Sequence, residues 1–318
     1  MKIHELVDDL YEGFVDRIGE PLSTSARDLP RVLRLVPVAR PWSQVFAHEI
    51  TLGAPALFAE PMAGVPSALT RDAVLAHLLA VIDSFGTARI EDERIDASPH
   101  VFAVLGQARR ERDRAMMRLF SRTPLADTDF RAADAMTIRA VRRERSMLQS
   151  TYPVGLDLYE RTLLDKRCSG VLASSALARI AGMGTRSCRA VRATLESISL
   201  SLQIYDDVVD WEADLHRGGA WAMCLMRGTM PPPYSGKHAT RGASARSELL
   251  GSGILEAMLS RAHVHMRSAR RRARALRAER LASWAEEQEA LLGALVAAEA
   301  DSAGYAVRAH ARSGGRST

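Results

Sequence analysis

Between Ser201 and Trp221 the chain reads SLQIYDDVVDWEADLHRGGAW, and five acidic side chains fall in its middle: Asp206, Asp207, Asp210, Glu212 and Asp214. Their neighbours Leu202, Ile204, Val208, Val209 and Trp211 are apolar enough for a protein interior. An α-helix turns about 100° per residue, so positions i, i+4 and i+8 share one face. Asp206, Asp210 and Asp214 have that spacing, with Gln203 one turn earlier near the same stripe and Asp207 beside it. Aspartates one turn apart repel by roughly a few tenths of a kcal/mol per exposed pair. Aspartate is a mediocre helix former, and burial costs far more unless the charge is neutralised. A divalent cation would neutralise it, and hard oxygen ligands on a stiff helix suit Mg²⁺, which shares its coordination shell with water and substrate phosphates.

A second cluster, ARIEDERID, repeats the pattern with Asp92 and Asp96 at i, i+4 and Arg89 one turn before Asp92. If the two helices face each other, their carboxylate ends form a clamp for a metal–diphosphate. Arg89 and Arg217 would then meet the phosphate oxygens as charge-assisted donors.

The elements that must carry these residues are helices. RDAVLAHLLAVIDSFGTARIEDERID (71–96) is apolar nearly all round before it turns charged, as an interior helix does, with Thr70 as N-cap. Ser98 and Pro99 supply an N-cap and first helical position for 98–121. Further helical patterns cover 127–149, 155–182 with a break near Ser169-Gly170, 187–216 as one long helix, and 247–311 as one or two. The segment 228–246 is a Pro-, Gly- and Ser-rich loop. No strand hairpin pattern is present. The expectation is an all-α, single-domain helical bundle of roughly ten helices over 1–311 with a disordered tail at 312–318.

Composition agrees with a soluble protein. The chain has 318 residues, 47% of them hydrophobic and 25% charged, with a formal net charge of +5. Its lysines are Lys2, Lys166 and Lys237, so arginine carries almost all the basic charge. Cys168, Cys188 and Cys224 show no CxxC spacing, which argues against a disulfide framework or structural zinc and for a reducing compartment. The N-terminus is acidic and amphipathic rather than a signal peptide. No run approaches the roughly 20 apolar residues of a membrane span. The expectation is a cytoplasmic protein without stable membrane insertion, for which a homodimer is compatible.

The second acidic segment resembles the second metal-binding motif of the class I isoprenoid synthases. Class I terpene cyclases carry Asn/Asp-Asp-x-x-Ser/Thr-x-x-x-Glu/Asp there, and Asp206, Asp210 and Asp214 match its ligand positions. LQIYDDVVD (202–210) is similar to the Phe-Gln-x-x-Asp-Asp-x-x-Asp of chain-elongating prenyl diphosphate synthases. Squalene- and phytoene-type synthases carry Gln-x-x-Asn-x-x-x-Asp-x-x-x-Asp before Arg-Gly. Gln203, Asp210, Asp214 and Arg217-Gly218 fit that pattern, with Asp206 in place of Asn. RIEDERID (89–96) looks like their first motif. Two departures stand out: the Asp-Asp-x-x-Asp of cyclases and elongating enzymes is not intact at 92–96, and no Arg-Arg-Gly follows.

The resemblance implies an isoprenoid-synthase bundle with a central active-site cavity. It implies three Mg²⁺ ions, with Mn²⁺ as a substitute, held by Asp92, Asp96, Asp206, Asp210 and Asp214. Diphosphate binding falls to Arg89, Arg217, Gln203 and, by analogy with the diphosphate-sensing arginine of cyclases, Arg161, with Lys166 and Arg167 a turn or two later. Phe85, two turns before Asp92, is the aromatic candidate for the cavity wall. The implied activity is that of a terpene synthase that ionises a prenyl diphosphate and cyclises or rearranges it. The alternatives are a prenyl-coupling transferase of the squalene/phytoene type and a non-catalytic helical binding protein.

The remaining features favour no rival chemistry. RSARRRARALRAER (267–280) spreads its arginines around a helix, which reads as a solvated surface rather than a nucleic-acid face. His263 and His265 point about 200° apart on a helix and make a poor chelate. Di-iron Glu-x-x-His pairs, a Gly-rich phosphate loop and Gly-x-Ser-x-Gly are all missing from the sequence.

Overall fold

The computed structural model describes residues 2–46, 48–62, 64–92, 95–122, 127–149, 153–217, 219–229 and 243–313. Among them the chain forms fifteen α-helices, three short 3-10 turns and no strand. In chain order the helices are α1 (Ile3–Ile18), α2 (Leu22–Arg27), α3 (Leu29–Val32), α4 (Glu49–Leu57), α5 (Ser67–Asp92) and α6 (Pro99–Phe120). They continue with α7 (Asp127–Leu148), α8 (Leu156–Lys166), α9 (Leu172–Ile180), α10 (Thr185–Val209) and α11 (Trp211–Arg217). The last four are α12 (Trp221–Thr229), α13 (Ala243–Gly251), α14 (Ile254–Ala275) and α15 (Glu279–Ser313). The all-α expectation holds, with more and shorter helices than the periodicity alone suggests.

The chain divides into two compact units, each assembled from separate stretches. The first comprises Met1–Ala135, Cys168–Leu195 and Arg272–Leu281, and the second Met136–Arg167, Glu196–Arg271 and Ala282–Thr318.

In the first unit α5 is the central helix. It packs most extensively on α6 and also touches α4 and α9. Val74, Leu78, Leu79 and Ile82 are fully or almost fully buried along it, and each such side chain contributes about 1.5–3 kcal/mol by leaving water. Gly86 lets α5 and α6 approach closely, since a Cβ there would sit 2.7 Å from a Leu105 methyl. The helix begins at Ser67, so Thr70 lies inside its first turn rather than at its cap. By length and composition Ser67–Glu91 is apolar enough to cross a membrane, contrary to the sequence expectation, but half of its most apolar stretch is buried inside the protein. That burial is what a core helix requires.

Charge inside this unit is paired. Asp83, 6% exposed, receives Nε and Nη2 of Arg109 at 2.9 and 3.0 Å. The guanidinium of Arg112 bonds to Asp113 and Asp134, each at 2.7 Å, and lies 4.9 Å from the Phe130 ring centroid. Buried guanidinium groups persist only with partners of this kind. Ser98 caps α6, accepting from the Val101 N–H, and Pro99 follows at the first position as its sequence predicts.

The second unit gathers the later part of α7, α8, the end of α10, α11, α12, α13, most of α14 and most of α15. Ser201 Oγ donates to the Ala262 carbonyl at 2.8 Å, tying α10 to α14. Glu160 on α8 receives Arg261 at 2.7 and 2.9 Å and lies 3.1 Å from His265 Nε2, both on α14. His263 instead lies 3.8 Å from Glu289 on α15, so the two histidines diverge as their spacing predicts. Arg267 Nε also donates to Glu289 at 3.0 Å, and Arg270 Nε lies 2.6 Å from the other Glu289 oxygen as an ion pair. These two arginines are therefore ion-paired between helices rather than simply solvated.

Candidate active site

The predicted long helix over 187–216 is interrupted at the residue that matters most. α10 ends at Val209, Asp210 sits at a bend, and α11 begins at Trp211. The one-turn spacing survives: Asp210 N–H donates to Asp206 O and Asp214 N–H to Asp210 O, both at 2.9 Å. Asp206 and Asp210 are exposed, whereas Asp207 is 5% exposed.

Partial desolvation of its carboxyl by surrounding protein, and next the neighbouring charge of Asp210, raises the pKa of Asp206 above its usual value although the residue reaches the surface. Asp210 is thus close enough to Asp206 to oppose its ionisation. That pair of hard oxygen donors fits a small divalent cation that completes its shell with water and substrate oxygens. Asp214 is engaged elsewhere, receiving Arg217 Nη1 at 2.8 Å. Among the described residues no three His, Cys, Asp or Glu side chains converge into a ready-made cation cage.

Asp207, which helical spacing alone relegates to a supporting or solvated role, proves to be the buried centre of a polar network. Its Oδ2 accepts from the Tyr159 hydroxyl at 2.6 Å and its Oδ1 from Gln203 Nε2 at 2.9 Å. Burial pushes this carboxyl up to about 7, against the pull of both donors. Burial, then the nearby charge of Asp207, likewise pushes the Tyr159 phenol well above its usual value, so it stays a donor. The Tyr159 ring packs 4.9 Å from that of Trp221, whose indole N–H donates to Glu144 at 3.1 Å.

Gln203 is placed differently from the expected diphosphate contact. Its amide NH₂ serves Asp207 and its carbonyl accepts Arg167 Nη2 at 2.5 Å. Burial lowers the pKa of Arg167, while the charges of Asp206, Asp207 and Glu144 raise it. The sequence points to Arg167 only as a base following Arg161, and does not single out Tyr159. Lys166 sits beside this group and is ion-paired to Glu144 at 2.6 Å. Arg161 is exposed on α8.

α12 approaches the backbone just before α8 closely because it carries Gly228. A Cβ at that position would lie 2.4 Å from the Val154 carbonyl oxygen.

The first acidic cluster belongs to the other unit. α5 stops at Asp92, and the Ile95 N–H reaches back to Ile90 O at 3.1 Å, a closure of the kind seen at helix C-termini. Asp96 is exposed in the segment beyond. Asp92 and Asp96 therefore do not share a helical face; Glu93 and Arg94 lie outside the described residues. Arg89 donates to the carbonyls of Leu33 and Arg34 at 3.3 and 3.0 Å, so it braces the turn after α3. Phe85 meets Phe46 edge-on at 5.0 Å, in an aromatic row with Trp42 and Tyr11. Gly218 and most of the 228–246 loop are outside the described residues.

No protein-family model matches the chain, and no curated protein matches its sequence. Solved structures do. A polyprenyl synthase from Caulobacter crescentus CB15, complexed with calcium and isoprenyl diphosphate, superposes with a TM-score of 0.55 at 17% identity, covering 86% of this chain and 97% of that one. A geranylgeranyl pyrophosphate synthetase from the archaeon Geoglobus acetivorans superposes with a TM-score of 0.55 at 16% identity, covering 90% and 97%. The chain has the all-helical fold of the isoprenoid synthases.

Proposed function

We propose that this protein is an isoprenoid enzyme that processes prenyl diphosphates with a divalent metal, acting as a prenyltransferase that joins two prenyl chains. The carrying observation is the like-charged Asp206–Asp210 pair, flanked by Arg167 and Gln203, on the isoprenoid-synthase fold. One structural neighbour is described as a polyprenyl synthase and the other as a geranylgeranyl pyrophosphate synthetase, which favours transfer over cyclisation.

Asp206 and Asp210 would hold the metal, which when bound neutralises charge on the departing diphosphate. Asp92 and Asp96 keep in this reading the oxygen-ligand role expected of them, from a helix end rather than a helix face. The C–O bond of one prenyl diphosphate breaks with its electron pair leaving on the diphosphate. The alkene of the second chain forms the new C–C bond, and a proton is then lost. Arg167, Lys166 and Arg217 are the cations of the second unit near the acidic residues. Their charge offsets that of the phosphate oxygens where water is scarce.

The one-turn spacing of Asp206, Asp210 and Asp214 matches the cyclase motif and supports a second reading, cyclisation of a single prenyl diphosphate. Incubation with Mg²⁺ and C10 to C25 prenyl diphosphates, singly and in pairs, followed by mass spectrometry, distinguishes them. Products of summed carbon number are expected. One-substrate hydrocarbons or alcohols favour the cyclase, and inertness toward every substrate contradicts both.

A further inference from the structure

Charge is segregated along this chain. No acidic residue lies between Asp165 and Glu196 or between Glu256 and Glu279, and these two stretches hold thirteen of the 43 basic residues. The rest of the chain is net acidic. In the first unit the two stretches meet. The end of α14 lies against the N-terminal half of α10, where Arg272 Nη1 donates to the Ala193 carbonyl at 3.4 Å. Arg179 at the end of α9, Arg186, Arg189 and Arg192 on α10, and Arg274 and Arg277 at and just past the end of α14 are all exposed.

Local structure does not account for these arginines. Arg186 and Arg189 lie in the first two turns of α10, whose first turn holds no acid, and a helix N-terminus disfavours positive charge. Arg186, Arg189 and Arg192 also follow one another at helical spacing, where like charges repel. Arg277 has φ 58, in the left-handed region, at the place after a helix end that glycine usually takes. Each position carries a cation against its backbone or its neighbours, and each of these side chains reaches solvent.

What the patch lacks narrows its partner. Neither stretch contains Asn, Gln, Phe, Tyr or Trp. Nucleic-acid surfaces read base edges with amides and stack bases on aromatic rings. Protein interfaces are centred on large side chains that fill pockets. Among the described residues, no large apolar side chain is exposed within Cys168–Leu195 or Arg272–Leu281, and Val191, Ala273 and Leu276 are buried. Such a surface answers to charge alone, and the planar guanidinium suits phosphate oxygens. An anionic headgroup layer attracts clustered basic side chains without any insertion into the bilayer.

We propose that the end of α9, the N-terminal half of α10 and the end of α14 form a docking surface for anionic phospholipid headgroups, which holds the protein peripherally on a membrane. The inference is independent of the reaction assigned above, so either can fail alone.

Co-sedimentation of the full chain with lipid vesicles tests it. The protein should bind vesicles of phosphatidylcholine mixed with phosphatidylglycerol and ignore vesicles of phosphatidylcholine alone. Binding should weaken steeply as salt is raised, because exposed charges are screened. Arg186→Gln/Arg189→Gln/Arg274→Gln/Arg277→Gln should weaken it about tenfold or more. Arg110→Gln/Arg122→Gln/Arg139→Gln/Arg142→Gln removes the same net charge from exposed positions elsewhere and should weaken it far less. Should the first fourfold variant lose its helical spectrum, Arg186→Gln/Arg189→Gln alone should still bind several-fold more weakly. Binding to neither vesicle, equal binding to both, or equal loss in the two fourfold variants overturns the proposal. Binding of a single-stranded oligonucleotide without binding of vesicles also overturns it, and would make the patch a nucleic-acid surface.

Discussion

The Tyr159 hydroxyl donates to Oδ2 of Asp207 at 2.6 Å, joining α8 to α10 across 48 residues of sequence. Gln203 completes the carboxylate from its other side. Replacing Asp207 by Ala strands a buried hydroxyl and an amide, each costing about 1–3 kcal/mol when left unpaired. Asp207→Ala should therefore lower unfolding free energy by roughly 2–5 kcal/mol in urea titrations. Asp207→Asn keeps an acceptor for Tyr159 and should lose much less. Equal stability of wild type and Asp207→Ala would show that this pair does not hold α8 to α10.

Glu160 gives a pH test within the same unit. Burial favours its neutral form, but bonds from His265 and Arg261 outweigh that and hold the carboxyl down at about 2. A carboxyl depressed in the folded state stabilises above its unfolded value, near 4.5, and loses that contribution as pH falls toward 2. The contribution is roughly 2 kcal/mol, after discounting for solvent around the half-exposed Arg261. Glu160→Gln should be less stable than wild type at pH 7. The gap should close as the pH is lowered from about 4.5 toward 2. A gap that stays constant across that range would mean the charge of Glu160 is not what matters.

Gly228→Ala tests the seat of α12. The new methyl would meet backbone, the Val154 carbonyl oxygen at 2.4 Å, which cannot rotate away as a side chain does. Overpacking of this kind costs about 1–3 kcal/mol. A melting temperature several degrees lower is expected, with weaker near-ultraviolet signal from Trp221. An unchanged melting curve would contradict the close approach.

Periodicity and caps made much of this fold legible. Ser98-Pro99 starts α6 where its chemistry says it should, and the break near Ser169-Gly170 separates α8 from α9. Boundaries at charged ends were not legible. The helix expected to reach Asp96 stops at Asp92 because Ile95 closes it back onto Ile90, and nothing in IEDERID distinguishes a helix from its terminus.

The candidate site was half legible. Helical spacing found Asp206, Asp210 and Gln203, and the motif resemblance agreed with the fold. It could not tell an exposed Asp206 from a buried Asp207, because both sit among the same apolar neighbours in sequence. The difference is made by Tyr159, which arrives from another helix. Arg167 stood out in the sequence only as a base near Arg161, because its partner Gln203 is 36 residues away. A lone tyrosine two turns before a Lys-Arg pair, LYERTLLDKR, is the signal that existed, and it is weak without the contact.

The most direct test of metal-assisted processing of a prenyl diphosphate is release of inorganic diphosphate from an allylic substrate. It is measured with a second prenyl diphosphate present, in Mg²⁺ and in EDTA, for wild type and for Asp206→Asn/Asp210→Asn. The account predicts release that requires Mg²⁺ and falls by roughly a hundredfold or more in the variant, which keeps its helical spectrum. No release by the wild type, or release undiminished by EDTA or by the paired substitutions, would contradict it.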